Sequence, residues 1–143
     1  MYVDFEYTYA DNPDLEESKV LDTLVTLLCH ALNTDYKVSA DRSKVLVLVS
    51  CSPPETSQPV VKSSYHLVFH LERFVFEDNS VCGGFMNDVY EDLKKYLSTE
   101  QPSKYLPHPQ LPRSALHQLL VKNGTKSQFV ADLSVYSSNR QFR

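Results

Sequence analysis

Three stretches far apart in the chain hold residue types that together handle phosphate and divalent metal. The last begins with Asp132, on a strand predicted over residues 128–136, followed by Arg140 and Arg143. A carboxylate can hold a divalent cation, and an arginine grips phosphate with two parallel hydrogen bonds. The first stretch places Asp4 and Glu6 on either side of Phe5, in an alternating segment over residues 1–9 that reads as a strand. Residues two apart on a strand share a face. The two carboxylates therefore point one way, where they repel unless a cation lies between them; the plainer alternative is the polar face of an edge strand. The middle stretch, a strand predicted over residues 60–71, places Ser64 and His66 on one face with Lys62 ahead of them. Lysine supplies a point charge and serine a hydroxyl donor. The combination implies a site for a metal-bound nucleotide.

The elements that must position these residues follow from periodicity. Residues 16–32 read as a helix with Val20, Leu21, Leu24, Leu27, Leu28 and Ala31 on the buried side. Residues 44–50 form a β-branched and leucine run of the kind found in buried strands. A loop carrying Pro53, Pro54 and Pro59 follows, then the strand with Ser64 and His66. Gly83-Gly84 leads into a second helix over about residues 85–97, with Phe85, Val89, Leu93 and Tyr96 as its stripe. Residues 99–113 hold four prolines and read as an internal linker. Residues 116–122 read as a strand, Asn123-Gly124 as a hairpin turn, and residues 128–136 as the last strand. The first six elements match a split βαβ, ferredoxin-like unit. The fold class is α+β, an antiparallel-rich sheet with two packed helices. In that topology the first and third strands lie side by side at the sheet centre, setting Asp4 and Glu6 beside Ser64 and His66.

Taken in order, Asp4-Phe-Glu6, Lys62-Ser-Ser64-Tyr-His66, and Asp132 followed by Asn139-Arg-Gln-Phe-Arg143 resemble the catalytic core of the archaeo-eukaryotic primase superfamily, above all its eukaryotic primase-polymerase branch. The resemblance implies that Asp4, Glu6 and Asp132 are catalytic and hold two Mn²⁺ or Mg²⁺ ions, and that Lys62, Ser64, His66, Arg140, Gln141 and Arg143 contact the nucleotide. It implies a nucleotidyltransferase that makes and extends primers on single-stranded DNA from (deoxy)nucleoside triphosphates. Such enzymes reprime stalled replication forks and tolerate damage by translesion synthesis in nucleus and mitochondrion, alongside single-strand-binding proteins. Two positions depart from the pattern: Ser138 stands where the family has arginine, and Gln141 where it has asparagine. The family also continues past the last motif with another basic contact, more core and a Cys/His zinc module. Residues 1–143 therefore read as a partial catalytic domain without that module, expected to be weakly active or inactive alone.

Bulk properties are mixed, since a net charge of −4 argues mildly against a nucleic-acid binder although the average hides an asymmetry. At 42% hydrophobic and 22% charged, the 143 residues suit one globular domain with its own core. No apolar run approaches membrane-spanning length. Cys29, Cys51 and Cys82 are too widely spaced for a zinc site and read as idle thiols. Residues 1–100 carry eight Lys and Arg against seventeen Asp and Glu, whereas residues 101–143 carry six against one. A basic segment beside acidic positions suits a polyanionic substrate. Two rivals share the scaffold. An RNA-recognition module would want stacking aromatics where the first strand carries acids, and the chain lacks its glycine-aromatic segment. A metal-dependent nicking nuclease would want a His-x-His pair, which is missing from the sequence.

Overall fold

In a computed structural model, which describes residues 1–49 and 62–137, β1 (Tyr2–Thr8) keeps the alternation its residues dictate. Val3, Phe5 and Tyr7 turn into the core, and Tyr2, Asp4, Glu6 and Thr8 turn the other way, half-buried. A polar turn leads to α1 (Glu17–Tyr36), about a turn longer than its stripe predicted, which ends at Lys37 in the left-handed region. All six predicted stripe residues are buried. A short 3-10 turn, Arg42–Lys44, enters β2 (Val45–Val49), and β3 (Lys62–Phe69) carries the middle motif.

The sheet runs β1-β3-β2, antiparallel throughout, so β1 and β3 are neighbours as the split βαβ topology requires. The fourth position, on the free side of β1, is taken by residues 130–132. The Glu6 N–H donates to the Val130 carbonyl at 2.9 Å, the Asp132 N–H donates to the Asp4 carbonyl at 2.8 Å, and Phe5 faces Ala131 across an antiparallel bridge.

β2 corrects an expectation. Its sequence reads as a buried strand, yet Leu46 is 57% exposed and Val49 60%. The cause is position: β2 ends the sheet among the described residues, and the helices cover only one face of an antiparallel sheet.

The second helix, α2 (Asn79–Thr99), begins six residues before the predicted start, at the Asp78 cap, whose carboxylate accepts the Val81 N–H at 2.9 Å. The diglycine therefore lies inside the helix rather than at its entry. At Gly83 an added Cβ would stand 2.7 Å from the Tyr136 Cβ, while at Gly84 nothing lies within 4 Å. Gly83 is the point where α2 closes on the segment after Asp132. The two glycines should therefore respond oppositely to alanine. Gly84→Ala should stabilise by about 1 kcal/mol, the helix propensity difference. Gly83→Ala should destabilise by about 1–2 kcal/mol, because overpacking exceeds that gain. Urea denaturation of the two variants checks the sign of each.

Residues 99–113, read as a linker, pack inward instead: Tyr105, Leu106 and Leu111 are buried. The Asp92 carboxylate pins the segment by accepting from Ser103 Oγ at 2.7 Å and from the Lys104 and Tyr105 N–H groups at 2.8 and 3.1 Å. The strand predicted over 116–122 is a short helix, α3 (Arg113–His117), followed by β4 (Leu120–Asn123). β4 pairs with β5 (Lys126–Phe129) through a two-residue loop in which Gly124 has φ +59°. Glycine is the residue that adopts this conformation without strain. Asn12 docks the hairpin by bonding both the N–H and the carbonyl of Lys122, at 2.8 and 3.0 Å. The predicted last strand stops at Phe129. Beyond Asp132 the chain winds into a 3-10 turn, Leu133–Tyr136, so Asp132, Ser134 and Tyr136 do not form a strand face. No helix among the described residues is long and apolar enough to cross a membrane.

Candidate active site

The register of β1 against β3 brings the first two motifs together. Asp4 lies opposite His66, Glu6 opposite Ser64, and Thr8 opposite Lys62. Directly opposed residues on antiparallel strands share a face, so the acids and the Ser-x-His pair occupy the same side of the sheet, away from the helices. His66 Nδ1 stands 2.6 Å from Asp4 Oδ1, and Lys62 reaches diagonally to form an ion pair with Glu6. Asp132 arrives from the other side of β1. Its N–H bonds the Asp4 carbonyl, and its carboxylate accepts the Ser134 N–H at 2.9 Å, capping the 3-10 turn. The first and third motifs therefore meet on adjacent backbones, with Asp132 on a cap rather than on a strand. Arg140, Gln141 and Arg143 lie outside the described residues.

The donor set suits a hard cation, since carboxylate oxygens are the preferred ligands of Mg²⁺ and Mn²⁺. As positioned, the acids engage neighbours, and no group of three His, Cys, Asp or Glu side chains among the described residues is gathered for a metal ion. His30 and His108 tilt together with ring centroids 4.5 Å apart, but they bring no third ligand.

Behind the site, on the core side, lies a cluster that periodicity did not reveal. Glu17, at the start of α1, accepts from Tyr7 Oη at 2.7 Å and from the Ser63 and Tyr65 hydroxyls. Tyr7, Ser63 and Tyr65 alternate with the motif residues on β1 and β3, so Glu17 ties both strands to the helix. The bond to Glu17, then burial, push the Tyr65 phenol up to about 12. Burial pushes the Glu17 carboxyl up, but hydrogen bonds from Ser63, Tyr65, Tyr7 and Tyr9 together pull it further down, leaving it below its usual value. A carboxyl lowered by folding contributes stability above the pKa of the unfolded chain, about 4.3 for glutamate. That contribution is lost as pH falls through the folded value. Glu17→Gln should cost about 1 kcal/mol at neutral pH, allowing for solvent screening at this partly exposed group. It should also flatten the acid side of a plot of urea midpoint against pH. An acid side as steep as that of the native protein would show that Glu17 is not responsible for it.

Tyr2 and Tyr136 were also missed as participants. Tyr2 stacks on His66, and the Tyr136 hydroxyl donates to the Tyr2 carbonyl. The only signal in the sequence is that Tyr2 falls two positions before Asp4, on its face.

A split βαβ core carrying acids opposite a Ser-x-His pair has the architecture that the primase resemblance implies. No family model matches the chain. The chain resembles DNA-directed primase/polymerase proteins along its whole length. It is 29% identical over 155 residues to that of Danio rerio and 28% identical over 171 residues to that of Mus musculus, each alignment covering 100% of this chain. The Homo sapiens protein is 29% identical over 100 residues, or 70% of the chain. The chain spans less than a third of the length of these relatives: 28%, 30% and 17% respectively.

Proposed function

We infer that the chain is part of a DNA-directed primase/polymerase, a nucleotidyltransferase that joins nucleotides on a single-stranded DNA template. The observation that carries this reading is the β1–β3 register, which sets Asp4 against His66 and Glu6 against Ser64 on the face turned away from the helices. In the reaction, a primer 3′-hydroxyl attacks the α-phosphorus of an incoming nucleoside triphosphate and pyrophosphate leaves. Asp4, Glu6 and Asp132 would hold Mn²⁺ or Mg²⁺, which when bound polarises phosphoryl oxygens and offsets their charge. Lys62, Ser64 and His66 orient the triphosphate with a point charge, a hydroxyl and an imidazole. Arg140, Gln141 and Arg143 complete the nucleotide contacts. Fixed charge of this kind, arranged before the reaction, is usually the largest catalytic contribution. Repriming at stalled forks, translesion synthesis, action in nucleus and mitochondrion, and cooperation with single-strand-binding proteins belong to the same proposal.

The test is calorimetry of a deoxynucleoside triphosphate with Mn²⁺, paired with extension of a labelled primer on a single-stranded template. Native protein should release heat only with metal, the weak extension of a partial catalytic domain should likewise need metal, and Asp132→Ala should lose both. Equal heats for native and variant would defeat the reading.

A further inference from the structure

Tyr2 joins all three motif segments. It lies on β1 two positions before Asp4, on the same face. Its ring stacks on the His66 imidazole with centroids 5.4 Å apart and planes 26° from parallel. Its hydroxyl reaches His66 Nδ1, the nitrogen that stands 2.6 Å from Asp4 Oδ1. A phenol, an imidazole nitrogen and a carboxylate thus meet at one point. An ionised carboxylate only accepts, so the hydroxyl and an Nδ1–H can both donate to it. The Tyr2 carbonyl takes the Tyr136 hydroxyl, from the 3-10 turn that Asp132 caps. Tyr136 is itself held against Gly83 of α2.

We propose that Tyr2 is a positioning residue for His66. It clamps the imidazole by stacking and shares Asp4 with Nδ1, so the ring is fixed with Nδ1 turned to Asp4 and Nε2 left to address a ligand. That the ligand is the triphosphate of a nucleotide rests on the proposed function; the hold on the ring does not. Stacking by a rigid aromatic and a shared hydrogen bond each remove ring freedom, and a ring already oriented binds its ligand without that ordering cost.

Tyr2→Phe keeps the stack and removes the hydroxyl. Two measurements on the full chain separate the two claims. In the first, ¹⁵N spectra of the histidine rings are recorded without nucleotide, near neutral pH. Native His66 should show a sharp Nδ1–H signal that exchanges slowly with solvent, and Tyr2→Phe the same signal broadened and faster to exchange, because one of the contacts that fix the ring is gone, with the melting curve little changed. In the second, a non-hydrolysable deoxynucleoside triphosphate is titrated with Mg²⁺. Tyr2→Phe should bind it about fivefold more weakly, the size of one net hydrogen bond. An unchanged His66 spectrum in Tyr2→Phe overturns the proposal whatever the nucleotide does. A changed spectrum with equal affinities overturns the link from ring orientation to binding. A changed spectrum in a protein whose native form binds no triphosphate upholds Tyr2 as the clamp and defeats the nucleotide reading instead.

Discussion

Asp4→Asn is expected to lower metal-dependent nucleotide incorporation by a hundredfold or more, about the effect of removing one preorganised electrostatic group from a reacting centre. Asparagine keeps the shape and one acceptor oxygen but removes the charge. Two functions are lost together. In the proposed reaction Asp4 is a cation ligand, and in the structure it anchors His66 through a contact of 2.6 Å. The fold should survive, because the Asp4 backbone bond to Asp132 and its place opposite His66 do not depend on the carboxylate. Primer extension with saturating Mn²⁺ measures the loss, and circular dichroism confirms that the variant is folded. Asp14→Asn, at an exposed turn position, is the control and should match native protein. A rate for Asp4→Asn within a few fold of native would remove Asp4 from the reacting centre.

Phe5→Ala should cost about 3–5 kcal/mol, the usual range for emptying a buried aromatic position. Phe5 is fully buried and meets Tyr7 and Tyr65 edge-on, with centroids 5.9 and 5.6 Å apart. Such pairs add about 0.5–1.5 kcal/mol beyond the area they bury. Because domains are stable by only about 5–15 kcal/mol, this single change removes a large share of the total. Its backbone also sits between Tyr65 on β3 and Ala131, so a collapse there would disturb both neighbouring acids. The urea midpoint should fall sharply for Phe5→Ala, while Leu48→Ala, at an exposed edge position, should change stability by less than about 0.5 kcal/mol. Similar midpoints for the two variants would contradict this account of the core.

Why some of this was legible in the sequence and some was not comes down to the range of the forces involved. Alternation on β1 and the 3.6-residue stripe on α1 are local, and both appear where the residues place them. The neighbouring of β1 and β3 followed from element order, which matches a split βαβ unit. What failed depends on distant partners or on short local bonds. The run Val45–Val49 is apolar enough for a buried strand, but an apolar strand does not announce that it will stand at an edge. Asp132, Ser134 and Tyr136 alternate as a strand would, yet the Asp132 carboxylate captures the Ser134 N–H and turns the chain. Asp and Ser compete with extended structure in this way. Leu116 and Leu119 are both buried, three apart, a spacing that already favours a helical turn over a strand. Prolines in residues 99–113 marked irregular backbone correctly but said nothing of Tyr105 and Leu106 entering the core. Gly83 is explained only by Tyr136, more than fifty positions later. In the candidate site the pairing of acids with the Ser-x-His strand was readable, whereas the Tyr2 clamp and the Glu17 hub needed coordinates.

The two-sided pairing of β1 bears on how the molecule is made. β1 is translated before both of its partners, β3, more than fifty residues further on, and residues 130–132. The Glu6 amide and the Asp4 carbonyl therefore wait, solvated, until residues 130–132 have been translated. Contacts this distant in sequence slow folding, because a long loop must close before they reward it. During that interval the apolar side of β1 is exposed, which favours chaperone capture of the nascent chain.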